Sequence, residues 1–211
     1  MFSHREFKVG NVEMKTISIL IPTRNPEIQT PLIPFIPHEI LISTILGVTE
    51  ARRSLVEKSS GELLIMIDDD VTVPDHLWID ALHLQKGSFM MSMGRNHPIT
   101  RFLAIHKKDY LKVGGFDLTF QNGEDYDFYL RAIKIGLKSI ILDREVIHHK
   151  EHSRHFDLRV PWDAGKLRAR HSDILRIRWF IKLNPLIFII QIVSLIYHRM
   201  CPVAYPKERE Y

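Results

Sequence analysis

The stretch that most constrains how this chain can fold is Leu63-Leu64-Ile65-Met66-Ile67-Asp68-Asp69-Asp70, five aliphatic residues that end in three consecutive carboxylates. An unbroken apolar run of this length reads as a strand buried on both faces. Such a strand cannot hold like charges inside, so the aspartates emerge at its carboxyl end. In open α/β sheets that end is where ligands bind. Clustered carboxylates repel one another unless a cation or hydrogen-bond donors compensate them. Alternate residues of an extended chain share a face, so Asp68 and Asp70 address one ligand while Asp69 points elsewhere. An acidic turn before Val71 is the plain alternative, and the rest of the chain has to choose.

Residues 16–22 are aliphatic and β-branched up to Pro22, which predicts a strand. Thr23, Arg24 and Asn25 follow at the same rim as the aspartates. Pro26, Pro31, Pro34 and Pro37 exclude a regular long helix before His38. Residues 39–45 read as a further strand and 48–60 as a helix, with Ala51, Leu55 and Val56 on one side and Gly61 as its C-cap. Arg52 and Arg53, near the start of that helix, suit either solvated surface or a reach toward a diphosphate.

Pro74 suits the first turn of a helix running to about Gln85, with Gly87 as its stop. Residues 89–93 and 101–106 read as strands, in which Met90, Met91 and Met93 are core filler. A short helix over 108–113 leads to Gly114-Gly115, a break that lets backbone approach closely. Residues 124–135 are helical by periodicity and stop at Gly136. Acidic residues in a first helical turn are favoured by the backbone dipole, which accounts for Glu124, Asp125 and Asp127 without any chemistry. It does not account for the preceding Gly114-Gly115-Phe116-Asp117. Residues 138–142 are another strand, and His148, His149, His152 and His155 follow. With Cys201 as the single cysteine, a structural zinc site is not expected, whereas one histidine completing a carboxylate-bound divalent ion is.

The last part of the chain differs in character. Between Lys150 and Lys182 nine Lys or Arg stand against four Asp or Glu, although the whole chain has a net charge of only +4, too small to point to nucleic acid. Ile174, Ile177 and Ile181 recur at helical spacing beside Arg170, Arg176, Arg178 and Lys182. Residues 186–197 are apolar except for Gln191 and Ser194, which with His198 form a narrow polar stripe. This run is too short to span a bilayer and suits an interfacial helix on an anionic membrane, or one packed on the domain or on a partner subunit. The expected organisation is a domain over 1–160 and a basic, apolar helical tail over 161–211. The expected membrane contact runs over 174–199, and a homo-oligomer is the other use of the tail. Residues 1–10 lack an apolar core for a signal peptide, and a lone cysteine fits a reducing compartment. The expected location is cytoplasmic, peripheral on the cytoplasmic face of a membrane.

Taken in order, these pieces resemble the family 2 inverting glycosyltransferases of the GT-A fold. Residues 17–25 resemble the family's first strand. Ala51-Arg52-Arg53 and then residues 60–70 resemble its helix and Asp-x-Asp strand. Gly114-Gly115-Phe116-Asp117 with residues 123–128 and Leu130-Arg131 resembles its acceptor-side segment, and Val146-Ile147-His148 its late histidine. The resemblance covers about residues 16–155. It implies an α/β fold, a Rossmann-like mixed sheet flanked by helices, followed here by the amphipathic tail. It also implies a nucleoside-diphosphate sugar donor, a glycan or lipid-linked acceptor, and Mn2+ or Mg2+. Asp70 and His148 would hold the metal, with His149 and His152 competing for the histidine role. Pro22, Thr23, Arg24, Arg52, Asp68 and Asp69 would line the nucleotide-sugar pocket. Asp125 would be the catalytic base, with Glu124 beside it contacting acceptor or backbone.

The chemistry agrees with that assignment. A departing nucleoside diphosphate gains negative charge that a cation stabilises. A carboxylate on another segment must take the proton of the attacking acceptor hydroxyl. The chain departs from the family at Ile42-Ser43-Thr44, where a base-recognising carboxylate is expected, and in the proline-rich stretch over 26–37; the nucleotide base therefore stays unassigned. Two other readings use the same residues. Asp68-x-Asp70-x-Thr72 also fits the nucleophile loop of haloacid-dehalogenase-type phosphatases, and the tail alone fits a non-enzymatic membrane-associated module.

Overall fold

Strand β3 (Leu63–Ile67) lies inside the sheet, and all five of its side chains are buried, as its unbroken aliphatic sequence requires. The computed structural model describes residues 16–23, 38–45, 47–95, 97–143, 148–149, 159–174 and 185–201. β1 (Ile17–Pro22) pairs with β3 in parallel, and β2 (His38–Ser43) pairs in parallel with β1 at the edge of the sheet. Between β2 and β3 comes the helical crossover α1 (Val48–Lys58), since parallel strands cannot be joined by a tight turn.

A two-residue strand β4 (Val71–Thr72) and helix α2 (Asp75–Leu82) follow, then β5 (Ser88–Met93) and β6 (Pro98–His106) as an antiparallel pair. β6 also pairs antiparallel with β3. Helices α3 (Lys107–Val113) and α4 (Glu124–Lys134) lead to β7 (Lys138–Leu142), which returns parallel to β5. The six-stranded mixed sheet has the order β2-β1-β3-β6-β5-β7. A second small sheet pairs β4 with β8 (His148–His149). The described chain closes with α5 (Arg159–Arg170) and α6 (Pro185–Met200).

The sheet is covered on both sides, and strand parity decides what each residue meets. Leu63, Ile65 and Ile67 join Ile17, Ile19 and Ile21 against Leu77, Trp78 and Ala81 of α2. Leu64 and Met66 face the other way, against Leu55 and Val56 of α1, Tyr110 of α3 and Phe128 of α4. Removing one such side chain, Phe128 for example, costs about 3–5 kcal/mol in a packed core. Met90 and Met91 are core residues as expected.

One local expectation is corrected. Gly61 does not cap α1; Ser59 does, its N–H donating to the Leu55 and Val56 carbonyls. Gly61 is needed for a tertiary reason, because a Cβ there would fall 2.5 Å from the backbone nitrogen of Ser18.

Candidate active site

The same parity that buries β3 sorts its aspartates. Asp68 continues the row of Leu64 and Met66 and emerges on the α1/α4 side of the sheet, whereas Asp69 continues the row of Ile65 and Ile67. Ile19 stands opposite Ile65 in the β1/β3 register, so Thr23 and Asp69 come next to each other at the rim. The Thr23 hydroxyl donates to the Asp69 carboxylate, and the Thr23 N–H donates to the Ser43 carbonyl at 2.9 Å. Asp68, Asp69 and Asp70 are all partly exposed, at the carboxyl end of the strand where the sequence places them.

Arg52 of α1 is the centre of the arrangement. Its side chain is 4% exposed, and its Nη2 donates to Asp68 Oδ1 at 2.7 Å and to the Thr100 carbonyl at 3.1 Å. Its Nη1 lies 3.3 Å from Glu124 Oε1 and 3.9 Å from Asp125 Oδ1. The guanidinium also sits over the Phe116 ring, 5.6 Å from its centroid. Arg53, one residue on, is the solvated surface residue of the pair and meets Glu57 one turn away. Arg52 thus joins the aspartate strand to the first turn of α4, two segments 56 positions apart between Asp68 and Glu124.

One arginine faces three carboxylates here, and the balance shows in their proton affinities. Burial opposes the charge of Arg52, but Asp68, Asp125 and Glu124 outweigh it and hold its proton more firmly than usual. Burial raises the Asp68 pKa; Arg52 pulls it back, Asp125 and Asp70 push it up again, and the net direction is upward. Glu124 is the extreme member. Burial and the neighbouring Asp125 charge push its pKa well above the ordinary carboxylate value, while Arg52 pulls it back. Asp125 in turn accepts the Thr100 N–H at 3.0 Å.

A second cluster holds this turn of α4 in place. Asp127 is fully buried and accepts Arg131 Nε at 2.8 Å, Arg170 Nη1 at 3.0 Å and His171 Nε2 at 2.9 Å. Burial alone would raise its pKa, but His171, Arg131 and Arg170 bring it down to about 2. Arg131 also donates to the carbonyls of Val113 at 2.6 Å and Gly115 at 2.7 Å, and Arg170 to Asp117 Oδ2 at 2.5 Å. That explains the glycine pair. Gly114 ends α3 in a left-handed conformation and Gly115 follows with a φ of 68°. Only glycine adopts two such residues in a row without strain, and the turn directs the Gly115 carbonyl at Arg131. From α5, Asp163 accepts the N–H groups of Gln121 at 3.1 Å and Asn122 at 2.9 Å, just before Gly123 opens α4.

Of the residues singled out in the sequence, Arg52, Asp68, Glu124 and Asp125 come together directly. Pro22, Thr23 and Asp69 form the adjoining rim. His148 pairs through its backbone with Thr72, two residues after Asp70, and His149 pairs with Val71. Arg24 and His152 lie outside the described residues. Sequence reasoning missed Thr100, Asp163, Arg170 and His171; the i, i+4 spacing of Asp127 and Arg131 was the one available sign of the second cluster. As for a divalent ion, Asp68 and Asp70 present hard oxygens at one end of one strand. Ions such as Mg2+ are commonly held by one or two carboxylates with substrate phosphates completing the shell. Among the described residues no group of three or more His, Cys, Asp or Glu side chains forms a ready-made cage.

No protein-family model matches the chain. No curated protein matches it either. Solved structures do. The mannosyltransferase PcManGT from Pyrobaculum calidifontis, in complex with GDP-Man and Mn2+, aligns over 92% of this chain and 78% of its own, with a TM-score of 0.59 at 11% identity. The catalytic domain of Drosophila β1,4-galactosyltransferase 7, in complex with xylobiose, aligns over 60% of this chain and 64% of its own, with a TM-score of 0.46 at 14% identity. The chain therefore has the Rossmann-like mixed α/β fold of a glycosyltransferase.

Proposed function

We propose that the protein is a metal-dependent inverting glycosyltransferase that moves a sugar from a nucleoside-diphosphate sugar to an acceptor hydroxyl or phosphate on a glycan or a lipid-linked carrier. The observation that carries this reading is the Arg52 bridge. It brings the aspartate-bearing strand end and the Glu124-Asp125 turn into one site, in a fold shared with a mannosyltransferase.

In this reading Asp70 and His148 would hold the divalent ion, with Asp68 close by, in the mode in which carboxylates and substrate phosphates share such an ion. The ion, Mn2+ or Mg2+, supplies Lewis-acid stabilisation of the leaving diphosphate. Thr23 and Asp69, fixed by their mutual hydrogen bond, line the nucleotide pocket with Pro22 and Arg24. Asp125 accepts the acceptor's proton. Thr100 N–H orients one of its oxygens, and Glu124, whose pKa burial pushes upward, lies beside it. Arg52 keeps Asp68 and Asp125 from repelling each other across the site. Direct attack opposite the leaving diphosphate inverts the anomeric centre. The phosphatase reading would need Asp68 as an available nucleophile, but here its Oδ1 is held by Arg52.

The test is turnover of a panel of nucleoside-diphosphate sugars, read as release of the nucleoside diphosphate. Asp125→Asn is expected to bind donor as the wild type does and to lose about 10²–10⁴-fold in turnover, the range for a general base. Turnover at the wild-type rate would remove Asp125 from the mechanism.

A further inference from the structure

Helix α6 is packed inside out. Gln191 and Ser194, the polar side chains of its middle, are buried against α5. The contact is close at Gly165, where a Cβ would fall 2.5 Å from the Gln191 carbonyl oxygen and 2.6 Å from Ser194 Cβ. The Ser194 hydroxyl donates to the Trp162 carbonyl at 2.5 Å. The opposite face carries Leu186, Ile189, Val193, Ile196 and Met200, spaced 3-4-3-4, with exposures running from 51% at Val193 to 77% at Met200. Helices of water-soluble domains turn such a stripe inward. This one turns it outward along its whole length.

We propose that this face lies on an anionic membrane surface, with the helix in the plane of the interface. Length excludes a crossing. The helix has 16 residues. At the α-helical rise they extend about 24 Å, short of the hydrocarbon core of roughly 30 Å. Among the described residues no helix is long and apolar enough to span. Charge selects the sign of the surface. Residues 185–200 contain no acidic residue, and Arg199 is their one Lys or Arg. Arg176, Arg178 and Lys182 precede the helix in the sequence, and Arg159 and Arg168 lie on the packed partner α5. An apolar helix face with basic residues near it in the sequence and on the helix packed against it is the pattern of an interfacial anchor. Tyr197 is half-exposed at the edge of the stripe, with its ring 5.8 Å from that of Trp162. Aromatic rings of this kind sit at headgroup level.

A second copy of the chain fits this face less well. Pairing of two such stripes takes its register from charges of both signs beside the seam, and α6 offers Arg199 with no acidic residue to match it. A lipid surface needs no register.

The test is co-sedimentation of the full chain with vesicles of phosphatidylcholine alone and of phosphatidylcholine with phosphatidylglycerol, without donor or acceptor. The expected result is binding to the anionic vesicles that weakens with added salt and falls at least about tenfold in Ile189→Glu/Val193→Glu, because charged side chains are placed in the apolar layer. Both substituted positions are exposed, so the variant should keep the wild-type melting temperature. Ile189→Phe/Val193→Phe, which keeps the face apolar, should bind like the wild type. Equal binding by the Glu variant, or no anionic-vesicle binding by the folded wild type, overturns the proposal. So does a dimer in light scattering that the Glu substitutions abolish, since the face would then belong to a second copy. Vesicle binding is independent of the transferase reading, so either can fail while the other stands.

Discussion

Helix α4 carries two buried charge clusters two residues apart, and they are built on opposite principles. Around Asp127 donors are plentiful: Arg131, Arg170 and His171 all reach it, Arg170 is shared with Asp117, and the Asp127 pKa falls to about 2. Around Asp125 the carboxylates are in excess. Among the described residues Arg52 is the arginine that faces Asp68, Glu124 and Asp125, and the Glu124 pKa is pushed upward by burial and by the Asp125 charge. A satisfied cluster fixes a structure, whereas an unsatisfied one with partly exposed members has capacity left for a ligand or a proton. The first anchors α4 to α5 and to the Gly114–Asp117 turn; the second is where chemistry is expected.

This contrast can be broken experimentally, and the largest effects come first. Asp127→Ala removes the partner of buried cations and should cost about 3–5 kcal/mol of stability, measured by denaturant unfolding. A loss under about 1 kcal/mol, the range of a surface ion pair, would show that the cluster is not the anchor described. Acid should reveal the same group. The folded pKa of Asp127 lies below the unfolded one. Its linked stability, about 2 kcal/mol, is therefore present above the ordinary carboxylate range and is lost as pH falls through the folded value. The acid limb of a stability-against-pH curve should flatten in Asp127→Asn.

Glu124 has the opposite sign. Its folded pKa is raised, so the stability linked to its proton is fully present below the unfolded value and declines as pH rises through the folded one. Glu124→Gln, which mimics the protonated form, should melt no lower than the wild type at neutral pH and lose that decline. A strongly destabilised Glu124→Gln would mean that Glu124 serves as a charged partner of Arg52. The smallest effect belongs to Arg53→Ala. It removes an exposed ion pair one helical turn long. Stability should change by less than about 0.5 kcal/mol, the usual worth of such a pair.

Much of the sheet was legible because β3 is apolar at every position and the aspartates had to leave at its end. The pairing of Thr23 with Asp69 follows from two strands and one register. The end of α1 was misread because no local rule calls for Gly61: its missing side chain makes room for β1, a contact between segments far apart in sequence. Helix α5 was legible only as part of the helical tail expected over 161–211, not as an element with bounds of its own. Its buried residues include Asp163 and Lys166 as well as Leu167. Pro161 and Gly165 lower its helical propensity, so no apolar period marks it. Lys166 is buried because it reaches the Thr119 carbonyl at 2.8 Å and the Phe120 ring at 4.1 Å. The polar stripe of α6 was visible as spacing; that it faces inward depends on Gly165 of another helix.

The most direct test of the central claim is calorimetric titration of wild type and Asp70→Asn with a panel of nucleoside diphosphates, with and without Mn2+. Metal-dependent binding of one nucleotide by the wild type, lost in Asp70→Asn, is the expected result and would identify the donor's base. Folded wild-type protein that binds none of them with Mn2+ present would contradict the assignment of this site to a nucleotide-sugar donor.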